Sequence, residues 1–212
     1  MLLVGISVFV SAWAGESGAP IYKGWNLVYG FISPDQLNDQ SFDKSHIKAI
    51  YAFIPTTQKY VRLFPNGENL EDLEDSGTID DDEILQMALF IYSDKTVEGE
   101  LNGMAHGTEY WLYDTPNPYT ERTMYKGWNF VGITPDLIGN SLNDLKGSCD
   151  IEKAYLFDAQ QQQWGTIFNL LDDKNIIKNE AGVGSGFIIK VTNNCKLGTS
   201  SGGNIPSVPT LP

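Results

Sequence analysis

The chain contains few of the residues from which metal and redox sites are built. Its 212 residues include two cysteines, Cys149 and Cys195, and two histidines, His46 and His106. Neither histidine has a second histidine or a cysteine at ligand spacing, and no Cys-x-x-Cys pair occurs. A zinc or redox centre is therefore not indicated. The cysteines fit either buried free thiols or a disulfide, and the histidines are predicted to be solvent-exposed loop residues.

Basic residues are also scarce. Lys and Arg together number 14 against 27 Asp and Glu, which gives a formal net charge of -13 at pH 7. So acidic a chain repels phosphate backbones and anionic lipid, so nucleic acid is not an expected partner. The acidity leaves cation binding open. No Asn-x-Ser/Thr sequence occurs, so Asn-linked glycosylation is not predicted.

The apolar segment 1–14 (MLLVGISVFVSAWA) has no charged side chain and is shorter than the roughly 20 residues that span a bilayer. One interpretation is a secretory signal peptide that ends at an Ala-x-Ala cleavage sequence. The other is a retained assembly element, either a pilin-like helix or a strand that adds to the sheet of a neighbouring subunit. The strand interpretation is based on the alternating apolar residues Val4, Ile6, Val8 and Val10. Both interpretations predict an extracellular or cell-surface protein.

A repeat organises the rest of the chain. The segment 22–28, YKGWNLV, recurs at 125–131 as YKGWNFV, 103 residues later. Aromatic and aliphatic residues of 47–64 then match those of 151–168 at a shift of 104, and GTEYW at 107–111 aligns with GSGFI at 184–188. Ordered matches of this kind predict a duplication.

Each copy has the pattern of a small β-module. The GWN segment is predicted to be a strand whose Trp is a core residue, followed by a short helix, a hairpin and a closing strand introduced by glycine. We therefore predict a mainly β fold with short helices (β-rich α+β), made of two diverged copies of one module after an apolar N-terminal segment. The predicted divisions are 1–14 for the signal or assembly segment, 15–120 and 121–197 for the modules, and 198–212 for a flexible Gly/Ser/Thr/Pro tail.

The first copy is predicted to contain an acidic insertion at about 66–100, because the shift falls from 104 to 77 at the closing strand. A further hairpin is predicted at 88–101. Calcium is the one cofactor that the sequence suggests, with a solvated acidic loop as the alternative. Its oxygen ligands would be Asp75, Asp80, Asp81, Asp82 and Glu83.

The repeat resembles the GWN-type β-modules of secreted bacterial and archaeal surface proteins. The second copy carries the pattern most completely, with GWN at 127–129 and GSGF at 184–187 leading to NCKL at 194–197. The resemblance implies an accessory unit of an extracellular protein without catalytic residues. It also implies a disulfide between Cys149 and Cys195, if the strands that they flank are neighbours. A disulfide that closes a loop of this length stabilises by roughly 4 kcal/mol in the chain-entropy treatment.

Aromatic residues of the first copy suggest a second function. Trp111, Tyr113 and Tyr119 either form an exposed platform for sugar rings or pack in the core. Asp35 and Asp136 recur after proline in both copies, where helix capping explains them without catalysis. We therefore predict a non-enzymatic extracellular structural or adhesion protein that self-assembles through 1–14 into a surface filament or pilus-like assembly. The alternative is a carbohydrate-binding protein that contacts surface glycans.

Overall fold

The computed structural model describes residues 18–29, 45–79, 83, 87–99, 122–133, 141–165 and 185–198. Most of these residues lie in short antiparallel strands, and two short helices join them. The elements are β1 (Gly18–Ile21), β2 (Gly24–Tyr29), β3 (Ile47–Ile54), β4 (Lys59–Phe64), α1 (Leu70–Asp75), β5 (Ala88–Ser93), β6 (Val97–Gly99), β7 (Arg122–Met124), β8 (Gly127–Gly132), α2 (Leu142–Leu145), β9 (Ile151–Asp158), β10 (Gln163–Gly165), β11 (Gly186–Val191) and β12 (Cys195–Leu197).

Two four-stranded sheets have the same strand order. The first sheet is β2-β5-β3-β4 and the second is β8-β11-β9-β10. Each is accompanied by a two-stranded ribbon, β1-β6 in the first copy and β7-β12 in the second. The mainly β fold and the duplication are therefore confirmed, and so are the hairpins β3-β4 and β9-β10.

Both faces of each sheet are apolar, and each face contributes to a different core. In β11, Phe187, Ile189 and Val191 lie in a cluster with the helix α2, whereas Ile188 faces the other sheet. In β5, Leu89 and Ile91 lie in the corresponding cluster of the first copy. Because successive strand side chains point to opposite faces, one apolar strand serves two cores at once.

Strand pairing corrects the alignment of the closing strands. β5 pairs with β2 and β3 exactly where β11 pairs with β8 and β9, so Ala88–Ser93 is the counterpart of Gly186–Val191. The predicted hairpin at 88–101 is wrong, since β5 belongs to the main sheet and β6 pairs with β1. The shift at this strand is 98 rather than 77. The first copy therefore has about 6 extra residues after its hairpin instead of about 27.

The GWN motif closes the turn between the ribbon and the sheet. Asn129 is 2% exposed, and its side chain accepts a bond from the Tyr125 N–H and donates to the Tyr125 carbonyl, both at 2.8 Å. Asn26 makes the same two bonds with Tyr22. The preceding glycines have φ of 103°, which is open to glycine and unfavourable for other residues. The sequence conservation between copies at this point therefore has a structural cause.

Two predictions about individual side chains have clear outcomes. Cys149 and Cys195 form a disulfide with their Cα atoms 5.0 Å apart, as the family resemblance implied. His46 is 1% exposed, so its prediction as a solvent-exposed residue is wrong. It lies just before β3, where its carbonyl accepts a bond from the Asp94 N–H and the chain packs against the first core. His106, Asp35 and Asp136 lie outside the described residues.

The short helix α2 begins with a capping box. The Ser141 hydroxyl accepts a bond from the Asp144 N–H at 3.2 Å, and the Asp144 carboxylate accepts from the Ser141 N–H at 2.9 Å. The Ser141 hydroxyl also donates to the Asp144 carboxylate at 2.7 Å. This bond first, and then the bond from the Ser141 N–H, lower the pKa of the Asp144 carboxyl. The cap satisfies backbone groups that a four-residue helix would otherwise leave free, and it places Leu142 and Leu145 in the second core.

Candidate binding groove between the two sheets

The two sheets pack face to face through a third apolar cluster. Its buried members are Leu27, Phe53, Ala88, Phe130 and Ile188. The rings of Phe53 and Phe130 stack with centroids 4.5 Å apart. The backbones also meet, because Val28 bridges Ser185 and Val131 bridges Met87. These two bridges occupy equivalent positions in the two copies, so the junction is reciprocal.

Two glutamines join the modules at both ends of this junction. Gln162 accepts a bond from the Trp25 N–H at 2.7 Å and donates to the Trp25 carbonyl at 2.8 Å. Gln58 does the same with Trp128, at 2.8 and 2.9 Å. Trp25 and Trp128 lie in the edge strands β2 and β8. Each glutamine side chain bonds to the backbone N–H and carbonyl of one of them, as a neighbouring strand would. We refer to Gln58 and Gln162 as the glutamine clamps.

The clamps give the GWN glycine a second requirement. A Cβ at Gly24 would overlap the Gln162 side chain, and a Cβ at Gly127 would overlap that of Gln58. Glycine is thus needed at this position both for its φ and for the approach of the opposite module. The GWN motif is therefore a junction motif as well as a turn motif.

An open groove of about 390 Å³ lies along the junction and is lined by aromatic side chains. We call it the aromatic groove. Within the described ranges, three of its residues are the large hydrophobic side chains exposed to solvent, namely Trp25 at 36%, Trp164 at 41% and Tyr60 at 53%. The first module supplies four of the lining residues and the second supplies two. They are Trp25, Tyr51, Tyr60, Phe90, Phe157 and Trp164.

Ring-to-ring packing holds the groove in shape. Phe90 lies at its centre, with edge-on contacts to Trp25 at 5.8 Å and to Trp164 at 5.9 Å between centroids. Trp164 also contacts Phe157 at 5.0 Å. Edge-to-face pairs at these distances are favourable because the positive edge of one ring meets the negative face of another. The exposed rings are therefore supported by partly buried ones.

Polar atoms occur at the rim of the aromatic groove. The Arg62 guanidinium donates to the Tyr51 hydroxyl from Nε at 3.0 Å and from Nη2 at 2.8 Å. Partial burial raises the pKa of the Tyr60 phenol above its ordinary value. A phenol hydroxyl can donate or accept a hydrogen bond. The lining side chains contain no carboxylate, imidazole or thiol. The site therefore offers flat apolar faces with a few hydrogen-bond donors at their edges.

The two copies carry different residues at two positions of their central strands, although the fold is duplicated. Ile188 and Lys190 occupy the positions of Phe90 and Tyr92 in the second copy. Lys190 forms an ion pair with Glu152 at 2.9 Å, whereas Tyr92 packs against Trp25 at 5.0 Å. Five of the six lining residues nevertheless have aromatic equivalents in the other copy, namely Trp128, Tyr155, Trp164, Phe53 and Tyr60. The equivalent face therefore differs in its lining only where Ile188 replaces Phe90.

Only some of the residues singled out from the sequence lie in the described part of the chain. Trp25 was predicted to be a core residue, but it lines the groove with 36% of its surface exposed, because the face that carries it is the junction face. The predicted platform of Trp111, Tyr113 and Tyr119 and the assembly residues Val4, Ile6, Val8 and Val10 lie outside the described residues.

The calcium hypothesis is tested only in part. Asp75 ends α1 and is exposed, and Glu83 is partly buried. Asp80, Asp81 and Asp82 lie outside the described residues. In the part of the chain that is described, no three His, Cys, Asp or Glu side chains are grouped as metal ligands. The calcium site stays a prediction.

The repeat contains a sequence signal for the groove. Tyr60 and Trp164 are equivalent aromatic residues of the hairpin strands β4 and β10. The residues of these two strands are exposed or half-buried. An aromatic residue kept in both copies on a short edge strand is typical of a junction. Their exposure depended on how the modules pack, which the sequence did not reveal.

Comparisons of the chain with models of protein families, with curated proteins and with solved structures give no match. Of the helices in the described ranges, none has the length and apolar character needed to cross a membrane. The resemblance to GWN-type β-modules is therefore a prediction from the sequence motifs alone.

Proposed function

We propose that the chain is a non-enzymatic extracellular adhesion protein that binds surface glycans in the aromatic groove. The observation that carries the proposal is the exposure of Trp25, Tyr60 and Trp164 around one groove of about 390 Å³. Large exposed aromatic residues grouped in one concave site are typical of ligand-binding sites. A volume of this size accommodates one or two sugar rings.

Sugar rings suit such a groove for a physical reason. One face of a pyranose ring carries C–H groups with partial positive charge, and the face of an aromatic ring is negative. Stacking the two removes apolar surface of both from water. The equatorial hydroxyls of the sugar then lie at the edge of the stack, within reach of the Tyr and Trp donors and the Arg62 guanidinium at the rim.

The extracellular part of the proposal is supported by the disulfide. Cys149–Cys195 is compatible with an oxidising compartment, in which structural disulfides persist. The apolar segment 1–14 adds the expectation of export. Assembly of a filament through 1–14 stays a prediction, because that segment lies outside the described residues.

Binding to a glycan array, followed by tryptophan fluorescence titration with the sugars that bind, tests the function. We expect Trp164→Ala to weaken binding about tenfold, which corresponds to about 1.4 kcal/mol. Gln163→Ala is the matched control, since Gln163 is exposed on the same strand, bonds to Gln161 and does not line the groove. Equal binding by Trp164→Ala and the parent chain would place the glycan site elsewhere, and no binding to any glycan would refute the proposal.

A further inference from the structure

The segment 206–212 has the proline spacing of a polyproline II ligand. Pro206, Pro209 and Pro212 are three residues apart in the sequence PSVPTLP. A polyproline II helix has three residues per turn, so these prolines would lie on one face. The segment has no charged side chain. This pattern is the one that aromatic-lined grooves recognise, because the helix is preformed and loses little entropy on binding.

The aromatic groove has the chemistry that such a segment needs. Proline rings pack against flat aromatic faces, and the groove offers the rings of Trp25, Tyr60 and Trp164. The backbone carbonyls of a polyproline II helix have no internal partners and must accept bonds from elsewhere. The polar atoms of the lining side chains are indole N–H groups and phenol hydroxyls, which can donate to carbonyls. An uncharged segment also enters without the cost of desolvating a charge.

The position of Gly198 favours a segment from another copy. Leu197 lies in the core on the α2 side of the second sheet, and the Gly198 N–H donates to the Leu145 carbonyl at 2.9 Å. The chain therefore leaves the module on the side opposite to the aromatic groove. The eight residues from Gly198 to Pro206 span at most about 28 Å when fully extended.

We infer that residues 206–212 of one copy dock in the aromatic groove of a second copy. This inference rests on the proposed function in one respect, namely that the groove is a binding site. The chain leaves the described part of the protein at Gly198, on the side of the second sheet that faces away from the groove. A contact between such a segment and the groove of another copy is heterologous, so it joins copies head to tail into rings or open chains. It also makes self-association and glycan binding mutually exclusive at each groove.

Sedimentation velocity of the full chain over a range of concentrations tests the inference. We expect concentration-dependent association that weakens at least tenfold in Trp164→Ala and in the triple variant Pro206→Ala, Pro209→Ala, Pro212→Ala. The matched control is Ser207→Ala with Thr210→Ala, which changes the same segment away from its proline face. Near-ultraviolet circular dichroism of each variant checks that the fold is retained. Association that is the same in all variants, as assembly through 1–14 would give, overturns the inference.

A synthetic peptide of residues 204–212 provides a second arm. We expect it to quench the tryptophan fluorescence of the triple-proline variant, whose own segment no longer competes. A parent chain that stays monomeric while its own segment blocks the peptide would show docking within one chain and overturn docking between copies. Peptide binding without glycan binding would refute the glycan proposal alone, and glycan binding without peptide binding would refute this inference alone.

Discussion

At the scale of single residues, the GWN motif combines three different requirements. Its glycine takes a φ of 103° and leaves room for a glutamine clamp. The backbone of its tryptophan bonds to that clamp, and the tryptophan ring packs at the junction face. Its asparagine closes the turn in front of the strand. The three residues therefore have different roles. Substituting one of them removes its own contribution and leaves those of the other two.

The asparagine provides the sharpest test of this interpretation. We expect Asn129→Ala to lower the free energy of unfolding by about 2 kcal/mol, because Tyr125 loses partners for both its N–H and its carbonyl in a partly buried turn. Asn193→Ala is the control, since Asn193 is exposed and bonds to its chain neighbours. Its expected effect is within about 0.5 kcal/mol. Urea denaturation measures both values, and equal effects would mean that the turn does not depend on the asparagine.

At the scale of elements, the sequence predicted hairpins and modules well but misplaced one strand. The β3-β4 and β9-β10 hairpins follow from local alternation around polar turns. β5 was placed in an insertion because GTEYW resembles GSGFI in its glycine and aromatic residue. The true match, ALFIYS with GFIIKV, depends on pairing with strands far away in the chain. Pairing between distant strands is not encoded in a local pattern.

The same strand equivalence predicts where a second disulfide fits. Ser45 stands two residues before β3 as Cys149 stands before β9, and Val97 begins β6 as Cys195 begins β12. The pairing at these positions is also the same, with Val97 opposite Ile21 and Cys195 opposite Met124, although the first ribbon shifts its register between Gly18 and Ile21. We expect Ser45→Cys with Val97→Cys to raise the free energy of unfolding by up to about 4 kcal/mol under oxidising conditions.

Guanidinium denaturation with and without reductant measures the effect. The reductant should abolish the gain in the double variant, and each single variant should show no gain. The parent chain should itself lose stability in reductant, because the native disulfide closes a loop of 46 residues. A double variant that forms no bridge would show that the geometry at Ser45 and Val97 differs from that at Cys149 and Cys195.

At the scale of the whole molecule, the functional features depend on the junction. Each module has its own core, and the third cluster between the sheets adds one that neither module can form alone. The groove draws its lining from both modules. The sequence revealed the two modules but not their packing, because both faces of the central strands are apolar and alternation cannot tell the inner face from the outer.

The glutamine clamps allow the junction to be weakened without touching either core. We expect Gln58→Ala and Gln162→Ala each to lower the free energy of unfolding by about 1 kcal/mol, since each removes two exposed inter-module bonds. Gln58 and Gln162 both have φ of 55°, which is unfavourable for residues other than glycine. A glycine substitution would also relieve that backbone strain, so alanine is the better substitution.

The double variant should lose about 2 kcal/mol if the two ends of the junction act independently. Thermal unfolding followed by circular dichroism, with Gln163→Ala as the control, measures the losses. A double variant whose loss is no larger than that of either single variant would show that the clamps act as one unit.

The reciprocal junction has a consequence for how the chain behaves on dilution. Two identical separate modules that met through such contacts would form a twofold dimer and come apart at low concentration. Residues 100–121 connect the modules covalently, so the encounter is intramolecular and its equilibrium does not change with dilution. In a dimer of identical modules every substitution occurs in both partners. In a single chain each module can be substituted independently, so the two halves can diverge. Phe90 and Tyr92 of the first copy, at positions where the second copy has Ile188 and Lys190, are the visible result.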